Sequence, residues 1–160
     1  MKMVRIPMES LIEVILLQLE TAKHANLAVT GCSMLPMLRQ YKDTVQLKPI
    51  EGTLKPGEIA LYQRHNGKYV LHRVIRVTET GYLFCGDNQA DLEPVEQEQL
   101  IAQVTSFTKN GKRHYINEPA YRLYRFAWVK FFNLRKYYIW LRRRIGRVRN
   151  WMCNRRKSNG

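Results

Sequence analysis

The chain has 160 residues, 45% of them hydrophobic: enough for one domain with one core, and too few for a multidomain machine. Its formal charge of +14 is unevenly spread, because all 13 acidic residues precede Pro119 while 13 of the 27 Lys and Arg follow it, leaving residues 1–118 at a net of +1. A near-neutral body therefore carries a cationic tail, and three cysteines without close spacing (Cys32, Cys85, Cys153) argue against a disulfide framework.

Ser10 followed by Glu13 has the form of a capping box and predicts a helix over residues 10–24, with Leu11, Val14, Ile15 and Ala22 as its apolar stripe. Glu13 and Gln18 interrupt the apolar run of residues 11–19. That run falls short of the ~20 residues of a spanning helix and lacks the small-residue cleavage point of a signal peptide. The expected location is therefore cytoplasmic or peripheral at a membrane.

From Leu27 to Ile116, short β-branched and aromatic runs alternate with turn signals. They predict strands at Leu27–Thr30, Thr44–Lys48, Glu58–Arg64, Lys68–Glu79, Tyr82–Cys85, Ile101–Lys109 and Lys112–Ile116. Asn66-Gly67 and Asn110-Gly111 suit type I′ hairpin turns, and Lys55-Pro56-Gly57 supplies another turn. The fold class is mainly β: a compact antiparallel domain over residues 27–118, between an N-terminal amphipathic helix (1–26) and a long C-terminal amphipathic basic helix (119–160).

In that tail Ala120, Tyr124, Ala127, Phe131, Leu134, Tyr138, Leu141, Ile145, Val148 and Met152 alternate steps of four and three, the pattern of a continuous apolar seam. Trp128, Phe132, Ile139 and Trp140 widen it, and Arg122, Arg125, Arg135, Arg142, Arg143, Arg147 and Arg149 take much of the remaining surface. Unbroken, residues 120–152 would span about 50 Å, with Gly146 as the weak point.

The segment richest in chemistry is Gly31-Cys32-Ser33-Met34-Leu35-Pro36, directly after a strand. A serine fixed between a Gly and a Pro is held on a constrained turn, which suits a nucleophile, although serine is also an ordinary turn residue. His72 lies inside the strand Tyr69-Val70-Leu71-His72-Arg73-Val74-Ile75, where a sheet-face histidine is the bland alternative. Gly86-Asp87-Asn88 follows a strand end, with Asp91 close behind. Lys68 shares a strand face with His72 and is a minor candidate base. His24, His65 and His114 lack ligand spacing, so no metal or other cofactor is expected.

The ordered trio S-M-L-P, H-R and G-D-N resembles the type I signal peptidase family over roughly Thr30 to Val104. The resemblance implies a signal-peptidase-type β domain and a serine endopeptidase that cleaves a peptide or leader precursor after a small residue. Ser33 matches the nucleophile, and His72 falls where bacterial members carry lysine, as in the endoplasmic-reticulum and archaeal type. Asp91 is the first choice for the acid that orients His72, with Asp87 the alternative. Asp87 is otherwise expected to pair with Arg73. Gly31, Met34, Pro36, Gly86 and Asn88 complete the motif positions.

Many relatives place a hydroxyl two residues before the nucleophile to help bind the oxyanion, and here that position is Gly31. The family's peptide adds as a strand, which makes Leu27–Thr30 and the strand holding Tyr62 the expected walls. Self-cleaving repressor peptidases share S-M-x-P but need a DNA-binding domain, a lysine base and an Ala-Gly linker, and Ala-Gly does not occur in this chain.

Signal peptidases usually carry a membrane anchor ahead of the serine, and only the helix of residues 10–24 stands there. The tail is therefore expected either to bring residues 119–157 to an anionic membrane surface, through Trp128, Phe132, Arg135, Trp140, Arg142 and Arg143, or to pack on the first helix or on a second copy. Nucleic acid ranks third, because the aromatics lie in a helical seam and not on a sheet platform. The non-enzyme alternative is an inactive peptidase fold that serves as a peripheral membrane or scaffold module.

Overall fold

The computed structural model describes residues 8–135, 137–141 and 144. Helix α1 (Met8–Thr21) begins before Ser10, which therefore sits in the first turn and not at the cap. Its buried positions are Ile12, Ile15 and Leu19, while Val14 and Ala22 are exposed. Apolar residues occupy nearly every side of this helix, so several stripes satisfy the helical period, and the sheet it packs on selects one of them.

Eight antiparallel strands form one sheet: β1 (Ala25–Ala28), β2 (Thr44–Lys48), β3 (Ile59–Gln63), β4 (Tyr69–Thr78), β5 (Gly81–Cys85), β6 (Glu93–Val95), β7 (Leu100–Lys109) and β8 (Lys112–Tyr115). The order is β1-β2-β7-β3-β4-β5-β6, with β8 paired to β7. Seven of these lie within a few residues of the predicted strands. The eighth, β6, was not predicted: Pro94 lacks an N–H and is tolerated only because β6 is an edge strand bonded to β5 alone.

At the β7–β8 turn Asn110 (φ 53°) and Gly111 (φ 76°) adopt the expected pair of positive φ angles. The β3–β4 turn differs. Only Gly67 is positive there, the Gly67 N–H donates to the Arg64 carbonyl at 2.8 Å, and the Lys68 N–H donates to Asn66 Oδ1 at 3.2 Å.

Register shifts at Gln46/Leu47, Leu61/Tyr62 and Val74/Arg76 bend the sheet. As a result β1 and the start of β4, separated by three strands in the pairing order, line one cleft. One core cluster joins α1 to β1, β2 and β7 through residues such as Ile15, Leu27, Leu47 and Val104. A second, around Tyr62, Phe84, Tyr82 and Val95, lies under β3–β6.

The tail corrects the expectation of one continuous helix. Helix α2 (Pro119–Lys130) ends at Phe131 (φ −98°, ψ 28°), and helix resumes over residues 132–135 and 137–141. No Pro or Gly marks this break in the sequence. The turn there brings Tyr138 edge-on to Trp128, with ring centroids 5.6 Å apart.

The face the tail buries follows the predicted seam only in part, since Tyr124 and the flanking Ile139 are turned inward. Tyr121, Arg135 and Ile139 are buried, whereas Phe131, Leu134, Tyr138 and Leu141 are exposed. Tyr121 packs on Phe107 of β7, so the inner face rests on the sheet body. Ile145, Gly146, Val148, Met152, Arg142, Arg143, Arg147 and Arg149 lie outside the described residues. Among the described residues no helix is long and apolar enough to cross a membrane.

Candidate active site

Alternation along β4 places His72 and Arg73 on opposite faces of the strand, and each face contributes differently to the same turn. Arg73 is fully buried and grips Asp87 with two parallel bonds, Nε to Oδ1 at 2.8 Å and Nη2 to Oδ2 at 2.7 Å. This is the pair expected from the sequence. Burial alone would lower the Arg73 pKa, but the Asp87 charge outweighs it and holds the guanidinium above its usual range. Arg73 Nη1 also donates to the Gly57 carbonyl at 2.8 Å, and Nη2 meets Met37 Sδ at 3.0 Å. Three loop segments are thereby tied to one cation of β4.

Asp87 fixes the turn after β5, and its neighbours face the serine. The Asn88 N–H donates to the Ser33 carbonyl at 2.6 Å, and Asn88 Nδ2 donates to the Cys32 carbonyl at 3.2 Å. A Cβ on Gly86 would meet the Ser33 carbonyl oxygen at 2.7 Å and His72 Nε2 at 3.0 Å. Gly86 is thus a glycine because the serine turn and the histidine close around it. The motif G-D-N works as one clamp: Gly for close approach, Asp for the buried cation, Asn for the backbone of Cys32 and Ser33. From the other side Met34 is buried in the core, and Lys109 Nζ bonds the Pro36 and Met37 carbonyls at 3.1 and 2.9 Å.

His72 is 2% exposed. Its Nδ1 lies 3.1 Å from the Tyr62 hydroxyl, which donates to Glu93 Oε2 at 2.8 Å. The phenol oxygen is therefore the acceptor for Nδ1–H, which leaves Nε2 unprotonated on the Ser33 side. Arg64 closes the chain with two bonds to Glu93, at 2.5 and 2.6 Å.

Burial pushes the His72 imidazole down to about 4, more than the Glu93 charge pulls it up. Burial and then Glu93 push the Tyr62 hydroxyl well above its ordinary range, so it keeps its proton. Burial acts to raise Glu93, but the hydrogen bonds from Arg64 and then Tyr62 outweigh it and hold the carboxyl below the usual range.

Asp91 is exposed and makes no hydrogen bond or ion pair with His72. The carboxylate facing the imidazole is that of Glu93, 4.0 Å from Nδ1 and reached through Tyr62. Asp87, the alternative acid, belongs to Arg73. Lys68 is exposed at the hairpin. Cys32 is exposed too, and Cys85 is a buried thiol that burial pushes up to about 11, in contact with Arg135 Nη2 at 2.8 Å.

Ser33 and His72 line the same cleft of about 240 Å³, together with Leu27–Thr30, Gly31, Met34, Arg64, Tyr69–Leu71 and Gln89. The second wall is thus β4, whereas Tyr62 of β3 stands behind His72. No hydrogen bond joins Ser33 Oγ to His72. Gln89 was not singled out by sequence reading. Its carboxamide lies at the same point of the cleft, with Oε1 2.9 Å from a Cβ built on Gly86. A Cβ on Gly31 would meet nothing within 4 Å.

The tail reaches this site from behind. Tyr121 Oη is 3.0 Å from Arg73 Nη1, and the Tyr124 hydroxyl donates to Asp87 Oδ2 at 3.0 Å. Arg135 Nη1 lies 3.9 Å from Asp87 Oδ1, and its guanidinium sits 4.6 Å from the Phe132 ring centroid. Among the described residues no group of His, Cys, Asp and Glu is arranged to hold a metal. No protein-family model matches this chain, and no curated protein matches it.

Proposed function

We propose that this protein is a serine endopeptidase resembling signal peptidase I, with Ser33 as nucleophile and His72 as general base, acting on a peptide or leader precursor. One observation carries the reading: a buried histidine, bonded at Nδ1 by a Tyr62 hydroxyl that Glu93 and Arg64 hold in turn, has its Nε2 beside Gly86 and the Ser33 turn. Such a base needs no lysine desolvation to be unprotonated at neutral pH.

In the reaction His72 Nε2 takes the Ser33 Oγ proton as Oγ bonds to the substrate carbonyl carbon. Collapse of the tetrahedral intermediate breaks the C–N bond, and the imidazolium gives its proton to the leaving amine. Water, deprotonated by the same Nε2, then releases the acyl group. The Ser33 N–H and the Gln89 carboxamide serve as oxyanion donors, Gln89 taking the part of the hydroxyl that Gly31 lacks.

The substrate lies extended between β1 and β4. β1 pairs only with β2, and pairing of β4 with β5 begins at Arg73, so both walls present backbone groups to an added strand. Val29, Met34 and Leu71 offer apolar walls that suit a small side chain.

Incubation of the full chain with a diverse peptide mixture, read by mass spectrometry, is expected to show cleavage that Ser33→Ala and His72→Ala each reduce by about 10³-fold or more. Wild-type cleavage by both variants overturns the assignment of Ser33 and His72, whereas no cleavage of any peptide by the native chain favours the inactive scaffold instead. Gln89→Ala is expected to lower kcat by about 10²-fold, the scale of one oxyanion donor, and Gly31→Ser in that background to restore part of it.

A further inference from the structure

We propose that the outer face of the tail docks on an anionic lipid bilayer. Phe131, Leu134, Tyr138 and Leu141 follow one another at steps of three, four and three and are 54%, 60%, 44% and 51% exposed. Leu123 and Phe126 of α2 are exposed as well, beside Arg122, Arg125 and Lys130. Neither helical segment can bury these residues by rolling over, because Tyr121 and Tyr124 of α2 are bonded to Arg73 and Asp87, and Arg135 of the segment after it is bonded to Cys85. An apolar stripe with its inward face occupied remains presented to the surroundings.

Charge selects the occupant. No acidic residue follows Glu118, and 13 Lys and Arg do. A second copy would bring the same unopposed cations against one another, whereas an anionic bilayer neutralises them and takes up the aromatic and aliphatic side chains at its headgroup boundary. Exposed Trp140, with the Arg144 guanidinium 5.4 Å from its ring centroid, has the mixed character of an interfacial residue. Tail and body then divide the work: one face of the helix completes the fold and the other holds the molecule at a surface.

The test is sedimentation of the full-length protein with vesicles of phosphatidylcholine alone or with phosphatidylglycerol added. Binding is expected to the anionic vesicles, to weaken with added salt, and to fall at least about tenfold in Leu134→Ser/Tyr138→Ser/Leu141→Ser, since both apolar burial and charge contribute. These positions are exposed, so the variant is expected to keep its circular dichroism spectrum and melting temperature; Phe126→Ser/Phe131→Ser gives an independent reading of the same surface. Equal partitioning to neutral and anionic vesicles overturns the proposal, as does binding unchanged in both variants. So does concentration-dependent dimerisation, by light scattering, that the same substitutions abolish while vesicle binding is absent. The readout does not involve peptide cleavage, so it stands or falls apart from the enzymatic assignment.

Discussion

At the scale of single residues, His72 shows how burial and hydrogen bonding divide between the two ring nitrogens. The Tyr62 oxygen accepts the hydrogen bond from Nδ1–H and its hydroxyl donates to Glu93, so the carboxylate orients the imidazole through a phenol. Tyr62→Phe removes that acceptor and is expected to lower kcat by about 10²-fold with little change in KM, the lower end of what positioned proton transfer contributes. Asp91→Asn is expected to stay within about twofold of the native rate. Steady-state kinetics on one cleaved peptide distinguishes them, and a larger effect at Asp91 would reverse the assignment.

The pH dependence follows from the same burial. Because His72 is held down to about 4, the acid limb of kcat/KM is expected near that value and not near the ordinary 6.5. Between those two values the unfolded chain binds a proton at His72 that the folded chain does not. Stability is therefore lost as pH falls from 6.5 toward 4, by on the order of 3 kcal/mol from this group, and levels off below. Glu93, held below the usual carboxylate range, adds stability that is likewise lost on acidification. Denaturant titrations at a series of pH values check the sign.

At the scale of elements, β4 carries His72 on one face and the buried Arg73 on the other, and the turn after β5 is clamped between them. Both members of the Arg73–Asp87 pair are fully buried, so removing either leaves an uncompensated charge. Arg73→Met or Asp87→Leu alone is expected to cost about 3–5 kcal/mol in a denaturant titration, and the double substitution less than either. Equal loss in all three would mean that the pair acts only through packing. The motifs for these elements were legible in the sequence, since strand alternation, Asn-Gly turns and the spacing of G-D-N are local. β6 was not, because a proline inside a three-residue edge strand leaves no local pattern to read.

At the scale of the whole molecule, the tail is part of the body as well as an appendage to it. A chain ending at Glu118 would lose Tyr121, Tyr124 and Arg135, opening the Arg73–Asp87 pair and Phe107 to water. Such a truncation is expected to lose at least about 3 kcal/mol, roughly 10 °C in Tm by calorimetry, and cleavage activity with it. A truncated body as stable as the full chain would show that these contacts contribute nothing. Membrane association is therefore better probed by substitutions on the outer face than by removing the tail.

The sequence by itself determined the charge division at residue 118, the β-rich body, and the order of serine turn, His-Arg strand and Gly-Asp-Asn turn. These are matters of composition and of periods a few residues long. Only the tertiary structure decided which carboxylate faces His72, because Tyr62 and Glu93 are 31 residues apart and meet through the registers of β3, β4, β5 and β6. It also decided which way the tail faces. A helix rich in aromatics offers more than one stripe at the same period, and the buried Asp87, paired with Arg73 and Tyr124 and faced by Arg135, selects the inward one. Within the described part of the apolar seam, Tyr124 is consequently turned inward, and Phe131, Leu134, Tyr138 and Leu141 are left outside.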